Sequence, residues 1–140
     1  MMKYLPLILI ILSACQVKKE QTQNTDINRL HDIWALTEIN GKEYTDDMAS
    51  RRPLLEINVE EKRVNGNDGC NSMFGQLETL TLDSISFGAM GSTRMMCAKM
   101  EVPDAYAKGL AETTNYTLNE LTLNLLNEKG KKLLVFKKVD

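Results

Sequence analysis

The sequence predicts a small α+β domain in which an antiparallel, partly closed β-barrel-like sheet packs against one helix. Short runs of alternating apolar and polar residues recur along the chain, separated by glycine-containing turn signals. One segment, near Pro103, instead has apolar residues at helical spacing. The 126 residues that follow position 14 are enough for one domain with a single modest core.

The strands are predicted from the alternation of apolar and polar residues and from the turn signals that separate these runs. The first, Ile33–Ile39, carries Trp34 and Leu36 two residues apart and ends before the turn dipeptide Asn40-Gly41. Leu55, Ile57 and Val59 alternate with polar residues in a second strand. Shorter strands are expected at 63–64, 74–82 and 85–87, and a closing hairpin is expected at 121–125 and 133–136.

One helix is predicted from Pro103 to about Thr114. Proline suits the first helical turn, where its missing N–H leaves no hydrogen bond unmade. Val102, Tyr106 and Leu110 recur every four residues and form an apolar stripe. Combined with the strand patterns, this stripe predicts seven core residues: Trp34, Leu36, Leu55, Ile57, Leu110, Leu123 and Phe136.

Residues 1–14 are predicted to be a removable export signal. Lys3 precedes a nine-residue apolar run at 4–12, which is far shorter than the roughly 20 residues that span a bilayer. The following Leu12-Ser13-Ala14-Cys15 resembles a bacterial lipobox, in which the cysteine thiol receives a diacylglycerol and becomes the first mature residue. The alternative is an ordinary secretory signal that happens to contain Cys15.

Residues 15–28 are expected to be a flexible tether from lipidated Cys15 to a domain at 29–140, because they are almost entirely polar. Gln16 stands where aspartate retains some lipoproteins at the inner membrane, so the resemblance implies the outer membrane of the cell envelope. Without Lys3 the mature part holds 16 basic and 19 acidic residues, a net charge of −3. This balance argues against nucleic acid as a partner.

The two remaining cysteines, Cys70 and Cys97, are predicted to form a disulfide, because an exported chain enters an oxidising compartment. The alternative is two free thiols. Methionines surround Cys97 and would suit Cu(I), although methionine more often fills an irregular core. A disulfide would leave no thiolate for copper, so we predict no metal and no cofactor. These methionines are Met90, Met95, Met96 and Met100.

The whole domain resembles the META, or HslJ-like, family. The resemblance rests on Trp34-Ala35-Leu36, on 53–57, on the glycine-cysteine-asparagine motif within 64–71, on Phe74-Gly75 and on Thr93-Arg94-Met95-Met96-Cys97. It implies a compact domain of bacterial envelope proteins with no established reaction, associated with heat induction and antibiotic tolerance. Some related domains resemble a secretion pilotin whose cracked barrel holds an acyl tail.

Three further residues are candidates for binding. Asn71 and Thr93 flank the cysteines and either line a pocket or, as we favour, satisfy backbone groups of turns. Arg94 could bind a carboxylate or phosphate, or pair with a local acid. His31, the only histidine, lies at the domain edge and is expected at the surface.

No catalytic residues are predicted, so the expected role is non-enzymatic binding or structural support in the envelope. The predicted partners are the membrane, through the Cys15 lipid, and an envelope protein. A carrier of an acyl chain or other apolar ligand is the first alternative, and it would require an apolar cavity inside the barrel. An enzyme is the second alternative and the least favoured. It would require titratable groups that converge in a cleft.

Overall fold

The structure is a computed structural model that describes residues 26–139. The predicted export signal, Cys15 and residues 16–25 of the predicted tether lie outside the described residues. Residues 26–28, which the sequence assigned to the tether, belong instead to the first element, because Asp26 caps a 3-10 helix, Ile27–Leu30, that includes Ile27 and Asn28. The remaining elements are β1 Asp32–Ile39, β2 Lys42–Glu43, β3 Leu54–Asn58, β4 Arg63–Asn67, β5 Ser72–Leu80, β6 Ile85–Phe87, β7 Gly91–Ser92, α1 Glu101–Glu112, β8 Asn115–Asn119, β9 Thr122–Leu126 and β10 Lys132–Lys138.

The strands form one antiparallel sheet that curls into a nearly closed barrel. Its order is β6-β5-β4-β3-β1-β10-β9-β8, with β2 added to β1 and β7 added to β5. The two outer strands meet at a bridge between Ser84 and Asn115. Backbone hydrogen bonds on both sides of that bridge, from Ile85 N to Thr114 O at 3.1 Å and from Tyr116 N to Asp83 O at 3.0 Å, join the edges. The predicted fold class is therefore confirmed.

Helix α1 packs against the concave side of the sheet. The hydroxyl of Tyr106 donates to the Leu54 carbonyl at 3.1 Å, and its ring meets Phe136 edge-on with centroids 6.0 Å apart. A Cβ atom on Gly109 would lie only 3.0 Å from the Leu134 side chain, so glycine permits the close approach. None of the helices between residues 26 and 139 has the length and apolar character needed to span a bilayer.

All seven predicted core residues are buried, which confirms the alternation that predicted them. The helix begins at Glu101, two residues before Pro103, and ends at Glu112, two residues before Thr114. Strand β8 is absent from the sequence-based prediction. Its inward residues Tyr116 and Leu118 are buried, but the outward positions at both of its ends are asparagine, which is more typical of turns.

The barrel has two distinct ends. The tether end contains Asp26, the start of β1, the end of β10 and the β8–β9 turn, because Trp34 pairs with Lys138 and Asn119 with Thr122. Successive strands β1, β3, β4 and β5 alternate in direction. The β4–β5 turn, residues 67–71, therefore lies at the opposite end, which we call the clasp end.

Candidate functional site

The clasp end is built on a polar turn with a buried carboxylate. Oδ1 of Asp68 accepts hydrogen bonds from the backbone N–H of Cys70 at 2.9 Å and of Asn71 at 2.6 Å. Oδ1 of Asn67 accepts from the N–H of Gly69 at 2.9 Å. Gly69 has φ +100°, and a Cβ there would lie 2.8 Å from Cβ of Ala49, so glycine is needed on both counts. These contacts fix the direction in which Cys70 and Asn71 leave the turn.

Asn71 fastens the distant 93–97 segment to this turn. Its buried Oδ1 accepts from the Thr93 hydroxyl at 2.9 Å and from the Met95 N–H at 2.6 Å, and its Nδ2 donates to the Met95 carbonyl at 3.3 Å. Oγ1 of Thr93 in turn accepts from the Ser72 N–H at 3.1 Å. Asn71 and Thr93 thus satisfy backbone groups, as the favoured interpretation of the sequence expected.

The disulfide predicted between Cys70 and Cys97 is present, with Cα atoms 6.0 Å apart. Together with Asn71 it closes the segment Thr93–Cys97, which we call the clasped loop. Because the sulfur of Cys97 is bonded to that of Cys70, it is not a thiolate ligand for copper. Residues 26–139 contain no group of three or more histidine, cysteine, aspartate or glutamate side chains arranged to hold a metal ion.

Tyr106 lies beneath the clasp and links it to the core. Burial raises the pKa of its phenol far above the usual range, and the nearby carboxylate of Asp68 adds to the effect. The hydroxyl therefore stays protonated and keeps its hydrogen bond to Leu54. Nothing in the sequence around Asp68 distinguishes this buried carboxylate from an ordinary solvated turn residue, so it was not among the predicted site residues.

The clasped loop displays apolar and cationic side chains to solvent. Met96 is 90% exposed and Met95 is 53% exposed. The Arg94 side chain is exposed, and no hydrogen bond or ion pair joins it to another described residue. The exposed ring of Phe74 lies across Gly91, where a Cβ would be 2.4 Å from it, just before the loop. The loop thus combines a fixed backbone with unpaired side chains.

Among the titratable side chains outside the loop, Arg51 contacts the clasp, where it donates to the Cys70 carbonyl at 3.4 Å, whereas His31 lies at the other end of the barrel. His31 is exposed at the tether end, where its Nδ1 accepts from the Val59 N–H at 3.3 Å. Asp46 forms an exposed ion pair with Arg52 at 2.8 Å. The sequence placed His31 at the surface, and the structure confirms that position.

A groove lies along β5 and the segment that follows β6. It has a volume of about 380 Å³, is partly open to solvent and lies beside the bulge of β5. Six residues line it: Gly75, Gln76, Leu77, Glu78, Gly88 and Ala89. Helix α1 packs against β1, β6 and β10, and its buried residues join those of the sheet in one apolar core.

A nearly closed antiparallel barrel, packed against one helix and carrying a disulfide-fastened loop at one end, defines a class of small β-rich domain. The model of the META domain family matches residues 26–140, and the chain belongs to that family. No curated protein matches the chain.

Three solved structures share the fold. A protein solved by NMR is 24% identical, with a TM-score of 0.63, over 81% of this chain and 94% of that chain. An NMR structure from Burkholderia xenovorans is 22% identical, with a TM-score of 0.59, over 80% and 86%. A crystal structure of a DUF4847 family protein from Bacteroides vulgatus is 13% identical, with a TM-score of 0.57, over 82% and 100%. At these identities the likeness concerns the fold alone.

Proposed function

We propose that the protein is a lipid-anchored, non-enzymatic binding module of the bacterial envelope, and that its clasped loop docks a protein partner. The observation that carries this proposal is the exposure of Met95 and Met96 on a backbone fixed by Asn71 and the disulfide. The family resemblance suggests envelope stress as the setting in which such binding is used.

The composition of the loop favours a protein partner. Methionine, arginine and aromatic residues are enriched at the centres of protein interfaces, and Met96, Arg94 and Phe74 supply one of each. Because the backbone of Met95 is already held at both its N–H and its carbonyl, little main-chain entropy is lost on binding. The unpaired guanidinium of Arg94 fits a carboxylate on the partner, which it would bind through two parallel hydrogen bonds.

The lipid anchor is supported by sequence and by the position of Asp26. The segment Leu12-Ser13-Ala14-Cys15 resembles a lipobox, and a multiply acylated cysteine anchors stably where one acyl chain would not. Asp26 enters the domain at the tether end, opposite the clasp. An anchor at Cys15 would therefore leave the clasped loop facing away from the outer membrane and accessible to other envelope proteins.

The test is site-specific photo-crosslinking of the full-length protein in the bacterium that makes it. A photoreactive amino acid at Phe74 should give one discrete protein adduct, and Met96→Asp should abolish it by placing a charge in the apolar contact. Leu82→Asp is the matched control, because Leu82 is also exposed but lies in the β5–β6 turn. An adduct that survives Met96→Asp unchanged would exclude the clasped loop as the docking site.

The packing of α1 counts against the apolar carrier as an alternative. Native mass spectrometry of the gently purified protein distinguishes a protein-binding module from an apolar carrier. Beyond the mass of the lipid on Cys15, a binding module should carry no further ligand. A co-purifying apolar molecule of a few hundred daltons would instead support the carrier.

A further inference from the structure

We infer that the tether end of the barrel rests on the bilayer surface through three apolar side chains, Ile33, Leu121 and Val139. This inference depends on the lipid anchor proposed at Cys15. It concerns a second surface, distinct from the clasped loop, and it assigns that surface a partner of different chemistry: the membrane itself.

The three residues are neighbours although they come from different elements. The N–H of Val139 donates to the Ile33 carbonyl at 2.9 Å, and the N–H of Lys138, the adjoining residue, donates to the Leu121 carbonyl at 2.9 Å. Their side chains are 41% (Ile33), 50% (Leu121) and 40% (Val139) exposed. The backbones of the three residues are therefore adjacent at the tether end, and each side chain leaves a substantial part of its apolar surface in water.

Leu121 is unusual for its position. It lies in the two-residue turn between β8 and β9, after Glu120, which has φ +51°. Such turns are dominated by asparagine, glycine and aspartate, which combine positive φ with a polar side chain. A half-exposed leucine at a hairpin tip leaves apolar area in water that contact with an apolar phase would remove.

The chain that precedes the domain is the reason for choosing the bilayer as the partner. Eleven residue-to-residue steps separate Cys15 from Asp26, and even fully extended they reach only about 40 Å. Asp26 caps the 3-10 helix at the tether end. The fully buried side chain of Leu30 attaches that helix to the barrel. A lipid on Cys15 would therefore join the membrane to the domain at the end that carries the three apolar side chains.

The charges beside the cluster favour shallow contact. The guanidinium of Arg29 donates to the Glu120 carbonyl at 3.1 Å, and Lys137 is exposed on β10. Long basic side chains can lay their stems along the apolar surface and keep their charges at the headgroups. The Glu120 carboxylate offsets part of this charge, so apolar contact rather than electrostatic attraction drives the docking. Three side chains bind weakly by themselves, and the anchor supplies the high local concentration that makes the contact persist.

The experiment uses the full lipidated chain in vesicles of phosphatidylethanolamine and phosphatidylglycerol. A photoreactive phenylalanine analogue replaces Leu121 in one preparation and Phe74 in a matched one. Phospholipid adducts should be at least five-fold more abundant at position 121 than at position 74. Adding Ile33→Ser and Val139→Ser should reduce the adducts at 121 while the thermal midpoint shows that the domain remains folded.

The outcomes separate the orientation from the anchor. Equal lipid adducts at both positions on a protein whose mass shows a lipid on Cys15 would overturn this inference alone. Adducts at 121 to a second copy of the chain would also overturn it. A mass that shows Cys15 unmodified in protein from the native bacterium would defeat the anchor itself.

Discussion

The two ends of the barrel are stabilised by different kinds of contact. At the clasp end, buried Asp68 and Asn71 make hydrogen bonds away from water and a disulfide closes the loop. At the tether end, the polar contacts are partly solvated, as in the ion pair of Asp32 with Lys138 at 2.6 Å. Buried hydrogen bonds are costly to break because the remaining partner is left unsatisfied, whereas exposed ion pairs contribute little. The clasp end is therefore the rigid end.

Removing the disulfide of the clasp end should cause the largest loss in the free energy of unfolding. Cys70 and Cys97 enclose 26 residues, and a crosslink of that span stabilises by about 3.5 kcal/mol in the chain-entropy model. We expect the double variant Cys70→Ala with Cys97→Ala to lose about this much in urea unfolding. Wild-type protein unfolded in urea with reductant is the control, and it should lose a similar free energy of unfolding. Free alkylation of both thiols in oxidised, folded protein would contradict the bond.

Asn71→Ala should be the next largest effect. The substitution removes three hydrogen bonds from a buried site, and at about 1 kcal/mol each the loss is about 3 kcal/mol. Thr93→Val, which removes the hydroxyl but keeps the shape, should cost about 1 kcal/mol. If both variants unfolded at the same urea concentration as wild type, the clasp would not be a stabilising element.

Lys138→Met should have a smaller, pH-dependent effect. Partial burial acts to raise the pKa of the Asp32 carboxyl, but the hydrogen bonds from Lys138 and the Ile33 N–H, with the charges of Lys138 and His31, outweigh it and lower the pKa. A carboxyl with a lowered folded-state pKa stabilises the fold above about pH 4, and this stabilisation is lost as the pH falls through the folded-state pKa.

The loss at pH 7 should be about 0.2–1 kcal/mol, because the pair is partly exposed. It should shrink toward zero as the pH falls through the lowered folded-state pKa of Asp32 and the carboxyl becomes protonated in wild type and variant alike. An NMR titration of Asp32 should show a higher pKa in the variant. A pKa that does not move would show that Lys138 is not its stabilising partner.

Met96→Gln should have the smallest effect on stability. The side chain is 90% exposed, so unfolding should change by no more than about 0.5 kcal/mol. The same substitution should weaken the proposed cross-link at Phe74, which separates the binding role of the loop from its structural role. A large loss of stability would mean that Met96 packs in the domain.

Much of the fold follows from local patterns. Trp34, Leu36 and Ile57 alternate because one face of each strand is buried, and Tyr106 with Leu110 marks the helix for the same reason. The pairing of Cys70 with Cys97 follows because no other cysteine remains for either once Cys15 is assigned to the lipobox. The strands and the helix can be predicted because burial of one face repeats apolar residues at a regular spacing.

Other features depend on contacts between distant segments and have no local signal. The bridge from Ser84 to Asn115 closes the barrel through polar residues that resemble loop residues. Strand β8 offers only Tyr116 and Leu118 as apolar positions, too few to establish alternation. The exposure of Met96 is likewise hidden, because methionine is more often a core residue. The geometry of the clasp thus had to come from the structure.

The central position of β1 makes the fold depend on the last segment of the domain to be synthesised. Leu36 pairs with Phe136, so the strand made first in the domain pairs with one made about a hundred residues later. Translation that stopped before Lys132 would leave β1 and β9 each with an unpaired edge, and such edges recruit other chains into aggregates. Folding of the domain is thereby coupled to the synthesis of β10, and a chain that stops earlier should be a substrate for proteases rather than a partly folded domain.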